Sequence, residues 1–276
     1  MFAKTFAPAM CAASALALVA GLSMTSAAAQ TGDGFWQGVQ KAGTLRCGAA
    51  IDQPYVMRNP ATGEYSGFFA DLCREFAEVL KVKPVFVDTT WDNIVAGLQA
   101  GKWDVSLALS RTPARAMAIN FSAPAMEYQT SFVYNKNNTK IPEGLVSFAD
   151  LDKKDLTFVV MSGTSQDKTV SEAIKNARIL RLPSTEETRM ALVSRRADVL
   201  VAPSDTNAIF AGINPDWAVL FNPTPALAEY GVGFGLPRHL SYSDVQVANI
   251  FIEQLRAAGK VKSFIDKATA EVIAGQ

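Results

Sequence analysis

Strand-like and helix-like segments alternate along this chain in two separate series, and this pattern restricts the fold more than any other feature. The first series has strands at 45–49, 84–89 and 104–110 and helices at 69–80 and 91–102; the second has strands at 156–161, 178–183 and 198–203 and helices at 167–177 and 185–197. Repeated strand–helix–strand units predict an α/β fold whose mainly parallel sheets carry helices on both faces. We therefore expect two α/β lobes of similar layout, with a ligand at the carboxyl ends of the strands.

The first 29 residues have the pattern of a secretory signal. Lys4 precedes the apolar run AASALALVAGL, and the segment ends in three alanines, 27–29. A basic start, a short apolar centre and a small-residue end are the features by which such signals are cleaved, and the apolar run is too short for a membrane span. We expect cleavage near Ala29 and export of a mature chain that begins at Gln30.

Charge and histidine content argue against two classes of partner. The chain has 26 basic and 26 acidic residues and no block of like charge, which disfavours a nucleic-acid or polyanion partner. His239 is the single histidine, and without a cluster of cysteines and histidines no zinc or copper site is expected. We expect neither a metal nor another cofactor.

Two cysteines, Cys47 and Cys73, follow the signal segment. Cys47 lies in the first predicted strand and Cys73 in the helix after it, and an exported chain favours a disulfide between them. A bridge over this loop would stabilise the fold by roughly 3 to 4 kcal/mol on the chain-entropy argument. Two buried free thiols are the alternative, since cysteine also serves as a small core residue.

Polar residues follow one strand in each predicted lobe. Ser110 and Arg115 come after the third strand of the first series, and a guanidinium beside hydroxyls suits the capture of a carboxylate. Gly163, Thr164 and Ser165 stand where a helix begins, so their backbone amides and hydroxyls are suited to an anion. The alternatives are a solvated surface arginine and an ordinary helix cap. Matching positions in both lobes favour a shared ligand site.

The chain resembles the family 3 extracellular solute-binding proteins of bacterial ABC transporters, the polar amino-acid binders of the periplasm. The resemblance runs from residue 45 to the end and rests on LRCGAAIDQPY, TGEYSGFFADLCREFAEVL, WDNIVAGLQAGKWDVSLALSRTPARAMAINFSAP, GTSQD, RRADVLVAP and YGVGFGLPR. It implies a two-lobed periplasmic binding protein fold of type II with a ligand cleft and two hinge crossings. The expected domains are a signal peptide at 1–29, lobe 1 at 30–131 and 232–276, and lobe 2 at 132–231.

The resemblance also implies a function and its partners. We expect a monomeric periplasmic component of an ABC importer that binds a small carboxylate-bearing solute, a polar amino acid or a close relative, and delivers it to an inner-membrane permease. Arg115 matches the family's clamp for the ligand carboxylate, Ser110 the hydroxyl five residues before it, and Ser165 with the Thr164 amide the contact from the second lobe. Trp91 matches an aromatic residue of the cleft, and a place in the core is its alternative.

One departure from the family pattern bears on the ligand. The carboxylate that binds a ligand ammonium should stand five residues after Asp198, where this chain has Pro203. A buried ammonium without a countercharge is costly, so an amino acid would need another acceptor, and Asp205 and Asp52 are the candidates. Without either, the ligand would be a carboxylate that lacks an α-amino group, or one whose cationic group lies elsewhere. Asp52 as an ordinary turn residue is the alternative.

A catalytic function is the competing class. Some proteins that resemble this family are cyclohexadienyl dehydratases, so the fold alone does not exclude an enzyme. An acid such as Asp52 would be the proton donor that a dehydratase needs. The sequence shows no nucleophile with a base, no metal cluster and no phosphate loop, so we expect a binding protein and not an enzyme.

Overall fold

Apolar strands and amphipathic helices alternate along the chain as the sequence predicts. The computed structural model describes residues 1–3 and 34–275, so residues 4–29 of the expected signal segment lie outside the described residues. The helices are α1 Phe35–Ala42, α2 Phe68–Val79, α3 Ile94–Gln99, α4 Pro113–Ala116, α5 Ser165–Ala173, α6 Thr185–Val193, α7 Ser204–Ile213, α8 Tyr242–Ala257 and α9 Lys260–Ala274. The strands are β1 Thr44–Ala50, β2 Met57–Arg58, β3 Tyr65–Ser66, β4 Lys83–Thr89, β5 Val105–Ser110, β6 Asn120–Phe121, β7 Met126–Asn135, β8 Thr157–Met161, β9 Arg178–Leu182, β10 Val199–Pro203, β11 Ala218–Phe221 and β12 Glu229–Leu236.

Each predicted series forms a parallel three-stranded unit. Strand β1 lies between β4 and β5 and pairs parallel with both. Strand β8 lies between β9 and β10 and also pairs parallel with both. In both units the first strand in the sequence is therefore central. Helices connect the first strand to the second and the second to the third, α2 and α3 in one unit and α5 and α6 in the other.

Two long antiparallel strands, β7 and β12, join the two units. The first part of β7, from Met126 to Gln129, pairs with β12, and the part from Thr130 to Tyr134 pairs with β10. Strand β12 then pairs with β5. We call the elements on the β12 side lobe 1 (β1–β6, β12, α1–α4, α8 and α9) and those on the β10 side lobe 2 (β8–β11 and α5–α7). The numbered lobe boundaries expected from the sequence stay a prediction.

Lobe 1 also contains the two C-terminal helices, whose place the periodicity did not predict. Phe251 of α8 packs on Phe76 of α2, with ring centroids 4.7 Å apart, and is stacked on Phe234 of β12. Val261 and Ala268 of α9 are buried in the same core. Lobe 2 has its own core around Phe132, Phe158 and their neighbours. No helix in the described part of the chain is both long and apolar enough to cross a bilayer.

The disulfide expected from the sequence is present. The sulfur atoms of Cys47 and Cys73 are 2.08 Å apart, and both side chains are fully buried. The bond joins β1 to α2, the two elements that the sequence placed in contact. It thus fixes the central strand of lobe 1 to the helix that follows it.

Three predicted helices are shorter in the structure, each for a local reason. The helix expected at 167–177 ends at Ala173, because the carboxylate of Asp152 accepts hydrogen bonds from the next backbone amides, 175–177, at 2.8 to 3.0 Å. The helix expected at 185–197 ends at Val193, and Arg195 then takes a left-handed backbone conformation. The helix expected at 91–102 spans only Ile94–Gln99, since turn residues precede it.

Candidate functional site

A small cavity lies between the lobes at the carboxyl ends of strands β1, β5 and β8. In this arrangement its volume is about 10 Å³, room for about one water molecule, so the lobes would have to part slightly to admit a ligand. Its lining residues are Asp52, Tyr55, Trp91, Ala108, Ser110, Arg115 and Tyr128 from lobe 1 and β7, and Thr164, Ser165 and Gln166 from lobe 2. The structure thus brings together six of the eight ligand-site residues that the sequence predicts. Of the other two, Gly163 lies beside the cavity, where its carbonyl accepts from Arg115. Asp205 lies behind Tyr55, which is part of the cavity wall.

Three hydroxyl groups meet in this cavity. The Ser110 Oγ lies 2.6 Å from the Tyr128 hydroxyl and 2.8 Å from the Ser165 Oγ, and the latter two oxygens are 3.2 Å apart. Ser110 ends strand β5 of lobe 1, whereas Ser165 begins helix α5 of lobe 2. Each hydroxyl both donates and accepts, so the cluster forms a direct hydrogen-bonded link between the lobes.

The Arg115 guanidinium is held by backbone carbonyls and by no carboxylate among the described residues. Its Nη1 donates to the Ser110 carbonyl at 3.2 Å, and its Nη2 donates to the Gly163 carbonyl at 3.4 Å. Desolvation by burial lowers the pKa of the guanidinium, and the tyrosines Tyr128 and Tyr230 oppose this shift. A buried cation held only by neutral acceptors is suited to an anionic ligand.

The Gly163-Thr164-Ser165 segment caps helix α5 and also borders the cavity. The Thr164 side chain is the N-cap: its Oγ1 accepts from the Asp167 amide at 3.2 Å and donates to the Met161 carbonyl at 2.8 Å. Because this hydroxyl is already paired, Ser165 is the residue of the segment whose side chain is turned to the hydroxyl cluster. The helix-cap alternative therefore holds for Thr164, and Ser165 faces the cavity. Binding of an anion by this segment stays a prediction.

A bulge in β5 aims the end of the strand at the cavity. Ala108 has a φ of 57°, and the pairing of β5 with β12 shifts between Ser106 and Leu109. An extra residue in one strand bends it and redirects its side chains. Ala108 consequently lines the cavity while Leu109 is buried in the core.

Trp91 serves both roles that the sequence allowed. Its ring lines the cavity and also packs against two apolar clusters of lobe 1. Its Nε1 donates weakly to the Ile51 carbonyl at 3.4 Å, which leaves the ring as an apolar wall. An aromatic wall also attracts cations that approach its face.

Asp52 is the one carboxylate among the residues that line the cavity. The side chain is only 6% exposed, and burial raises the pKa of the Asp52 carboxyl to about 7, while the hydrogen bond from Thr185 and the charge of Arg189 oppose the shift. The Thr185 hydroxyl donates to the Asp52 Oδ1 at 3.0 Å. So high a pKa means that the neighbouring groups do not make up for the loss of water around the ionised carboxylate.

Asp205 lies one side chain away from the cavity. The Tyr55 hydroxyl, itself part of the cavity wall, donates to the Asp205 Oδ1 at 2.6 Å. Burial raises the pKa of the Asp205 carboxyl, and the Tyr55 hydrogen bond opposes that shift. Pro203 ends β10 just before this residue and pairs with Thr130 of β7, so the position that the family pattern gives to a carboxylate carries no charge.

Further hydrogen bonds hold the lobes together around the cavity. Besides the contacts of Asp52 and Tyr55, Nη1 of Arg189 donates to the Gln53 Oε1 at 3.1 Å. The Ser162 hydroxyl donates to the Asp92 Oδ2 at 3.3 Å. The protein is therefore in a closed arrangement, in which side chains of lobe 1 and lobe 2 bond directly.

Sequence reasoning did not place several residues that form the site. Ala108, Tyr55 and Gln166 line the cavity, and Arg189 contacts lobe 1 from helix α6. Gln166 belongs to the GTSQD motif, and its place next to Ser165 is the sequence feature that could have indicated it. Tyr128 also lines the cavity, from strand β7.

Comparison with known proteins gives a consistent family assignment. The sequence profile described as "Bacterial extracellular solute-binding proteins, family 3" matches residues 45–271. A probable histidine-binding protein of Campylobacter jejuni is 26% identical over 226 residues, which are 81% of this chain and 84% of that protein. Cyclohexadienyl dehydratase of Pseudomonas aeruginosa is 23% identical over 224 residues, 80% of each chain.

A solved structure gives the same fold. An ancestral amino acid-binding protein, described as a precursor of cyclohexadienyl dehydratase, superimposes with a TM-score of 0.75 at 29% identity. The superposition covers 85% of this chain and 99% of that one. The two-lobed α/β architecture and its cleft are thus shared over nearly the whole of that binding protein.

Proposed function

The chain belongs to the bacterial extracellular solute-binding proteins of family 3, and from this premise we propose that it captures an amino acid for an ABC importer. The ligand would be enclosed in the cavity between the lobes. The most similar proteins described above include a histidine-binding protein and an ancestral amino acid-binding protein. Neither name gives the ligand of this chain, which therefore has to be argued from the cavity.

The observation that supports the proposal most is the pairing of a buried guanidinium with hydroxyls from both lobes. Arg115 and Ser110 approach the cavity from lobe 1, and Ser165 approaches from lobe 2. A ligand carboxylate placed among them would accept charge-assisted hydrogen bonds from both lobes at once. Such a ligand stabilises the closed form, because only that form brings the two sets of donors together.

The proposal extends to the route of the ligand. We place the protein in the periplasm after removal of the signal segment, with hinge crossings in β7 and in the first part of β12 and with an inner-membrane permease as the partner that accepts the ligand. The change of partner strand at Thr130 supports a hinge there. Binding without chemistry follows from the same picture, since the protein would release its ligand unchanged.

A ligand screen followed by mutation of the clamp tests the proposal. Histidine, arginine, lysine, glutamine and glutamate are added to the mature protein, and the melting temperature is recorded, because a bound ligand raises it by mass action. For the best ligand, Arg115→Ala should weaken binding roughly 100-fold or more in calorimetry, as expected when a bidentate charged contact is lost. Arg111→Ala removes an exposed arginine of the same loop and should leave the affinity unchanged.

Two results would contradict the proposal. No amino acid of the panel raises the melting temperature, or Arg115→Ala binds the best ligand as tightly as the wild type does. Arg115→Lys adds a graded control, because lysine keeps the charge but not the planar fork of donors, and it should bind with intermediate affinity.

A dehydratase activity is the second candidate, and one observation favours it. Asp52 faces the cavity with a pKa raised to about 7, so a fraction of it is protonated near neutral pH, as a general acid requires. The Pseudomonas relative carries the name of such an enzyme. Incubating the protein with prephenate or arogenate and assaying the aromatic product distinguishes the candidates, since a carrier forms none.

A further inference from the structure

The cavity contains one cation and one carboxylate that are not paired with each other. Arg115 makes no ion pair with a described residue, and Asp52 is likewise free of ion pairs within residues 34–275. Both side chains line the same cavity between the lobes, so one small molecule admitted there would contact both. Their charges therefore predict a ligand that carries both signs of charge.

The nearest basic side chain is engaged elsewhere. Arg189 donates to the Gln53 side chain, and its guanidinium lies over the Phe210 ring, 5.2 Å from the ring centroid. Its charge favours the ionised form of Asp52 only from a distance. Thr185, the hydrogen-bond donor to Asp52, supplies no charge. The carboxylate of Asp52 thus has an electrostatic reason to accept a further, cationic donor.

Asp205 is less suited to this role. Its carboxylate accepts the Tyr55 hydroxyl at 2.6 Å, and Tyr55 stands between it and the cavity. A ligand nitrogen at Asp205 would have to compete with this hydrogen bond. Of the two acceptors that the sequence offers, the geometry favours Asp52.

The Gln166 side chain points to the anionic part of the same ligand. Its buried Nε2 has no acceptor at hydrogen-bond distance among the described residues, although the Gln166 side chain also acts on the Tyr128 hydroxyl and opposes the rise in the Tyr128 pKa. The Gln166 Oε1 accepts from the Ser165 hydroxyl at 3.2 Å. A buried amide nitrogen without an acceptor is costly. A ligand carboxylate near Ser165 would provide that acceptor.

We propose that Asp52 binds a cationic nitrogen of the ligand, replacing the carboxylate for which this chain has Pro203. The proposal rests on the proposed function and narrows it: the ligand is an amino acid with its positive charge against Asp52 and Trp91, and not an organic acid. The nitrogen is either the α-ammonium or a basic side chain. Either group would present a positively charged nitrogen to Asp52. Ligand analogues that lack one of the two groups show which of them Asp52 binds.

The test measures selectivity, because a purely structural role would not change it. The wild type is titrated with the best ligand of the screen and with analogues that each lack one charged nitrogen. For lysine these are 6-aminohexanoate and norleucine; for arginine they are 5-guanidinopentanoate and citrulline. The wild type should prefer the amino acid over at least one analogue by about 100-fold, and Asp52→Asn should reduce this preference to within about fivefold.

Matched variants separate binding of charge from contact between the lobes. Thr185→Val removes the hydrogen bond to Asp52 but keeps its charge, and Asp205→Asn removes the other candidate carboxylate. Both should retain the preference of the wild type even if absolute affinity falls. Circular dichroism and melting temperature confirm that Asp52→Asn is folded.

The outcomes are distinguishable. If Asp52→Asn keeps the preference, or if Asp205→Asn loses it, the role of Asp52 is wrong while the proposed function stands. If the wild type binds the amino acid and both analogues equally, the requirement for a cation is wrong. If no amino acid binds the wild type, the proposed function itself fails.

Discussion

Gly163 stands where the two lobes lie close to each other. Its φ is 74°, a conformation that glycine adopts without strain. A Cβ built on it would lie 2.6 Å from the backbone nitrogen of Asp92 in lobe 1, and a real side chain does not approach a backbone atom so closely. Two independent reasons, the backbone angle and the closed arrangement, therefore require glycine here.

Replacing this glycine should impair closure more than folding. In Gly163→Ala, the new methyl group collides with the backbone of lobe 1 only when the lobes are closed, so we expect at least about tenfold weaker ligand binding, as for strain of about 1.4 kcal/mol or more. Unfolding should be affected only by the strained φ, about 1 kcal/mol. Calorimetry gives the affinity and urea denaturation the stability.

Gly144 supplies the matched control for that experiment. Its φ is 69°, but nothing lies within 4 Å of a Cβ built on it. Gly144→Ala should therefore show the loss of stability without the loss of affinity. Equal affinities of Gly163→Ala and wild type would mean that the ligand-bound form is more open than this structure.

Individual site residues were predictable from sequence where they lie next to a recognisable strand end. Ser110 ends an apolar strand, Arg115 and Ser165 come a few residues after one, and the structure brings the three together in one cavity. Tyr55 and Arg189 were not predictable in the same way, because their contacts are across the interface between distant segments. The choice between Asp52 and Asp205 also depended on such a contact, because only the tertiary structure shows that the Tyr55 hydroxyl donates its hydrogen bond to Asp205.

At the scale of elements, periodicity predicted the strands better than the ends of the helices. The strand–helix–strand units have the predicted order and parallel pairing, because the buried apolar runs that form them are visible locally. Helix α5 instead ends where Asp152, thirteen residues before its start, accepts the amides of residues 175–177. The antiparallel strands β7 and β12 and the bulge at Ala108 are likewise results of tertiary pairing.

The disulfide between β1 and α2 should contribute to stability and not to binding. It closes a loop with a sequence separation of 26, so replacing Cys47 and Cys73 together by alanine should lower the free energy of unfolding by about 3 kcal/mol. Neither sulfur lines the cavity, so ligand affinity should change little. Urea denaturation and calorimetry measure the two effects.

A comparison of single and double variants separates the bond from the loss of side-chain volume. Cys47→Ala and Cys73→Ala each break the bond but remove one buried sulfur, and the double variant removes both. If the loss of stability comes mainly from the broken bond, each single variant should lose most of the stability that the double variant loses. A double variant with an unchanged denaturation midpoint would show that the cross-link contributes nothing to stability.

For the whole molecule, closure without a ligand brings opposite charges out of water without pairing them. In the closed form burial lowers the pKa of Arg115 and raises the pKa of Asp52 to about 7. Each shift is a cost of closing in the charged state. A ligand with a carboxylate and a cationic nitrogen would offset both costs at once, so the same charges that oppose empty closure would favour closure on the ligand.

Ligand-free closure should consequently depend on pH through Asp52. Its carboxyl has an ordinary pKa of 3.8 when exposed and a raised pKa of about 7 when closed, so the closed form binds more protons and is favoured as the pH falls. Between pH 8 and pH 6 the ratio of closed to open protein should rise about tenfold. Asp205, whose pKa burial also raises, acts in the same direction, while Arg189 and the Thr185 hydroxyl oppose the shift of Asp52.

Distances between spin labels at Val79 and Val193, exposed positions on lobe 1 and lobe 2, report this equilibrium. Asp52→Asn keeps the hydrogen bond from Thr185 but has no charge to desolvate, so it should be more closed than the wild type at pH 8 and should respond less to pH. Bound amino acid should abolish the response in the wild type, because a cation beside Asp52 keeps the carboxylate ionised in the closed form. If Asp52→Asn and wild type show the same distances at pH 8 and pH 6, the charge of Asp52 does not control closure.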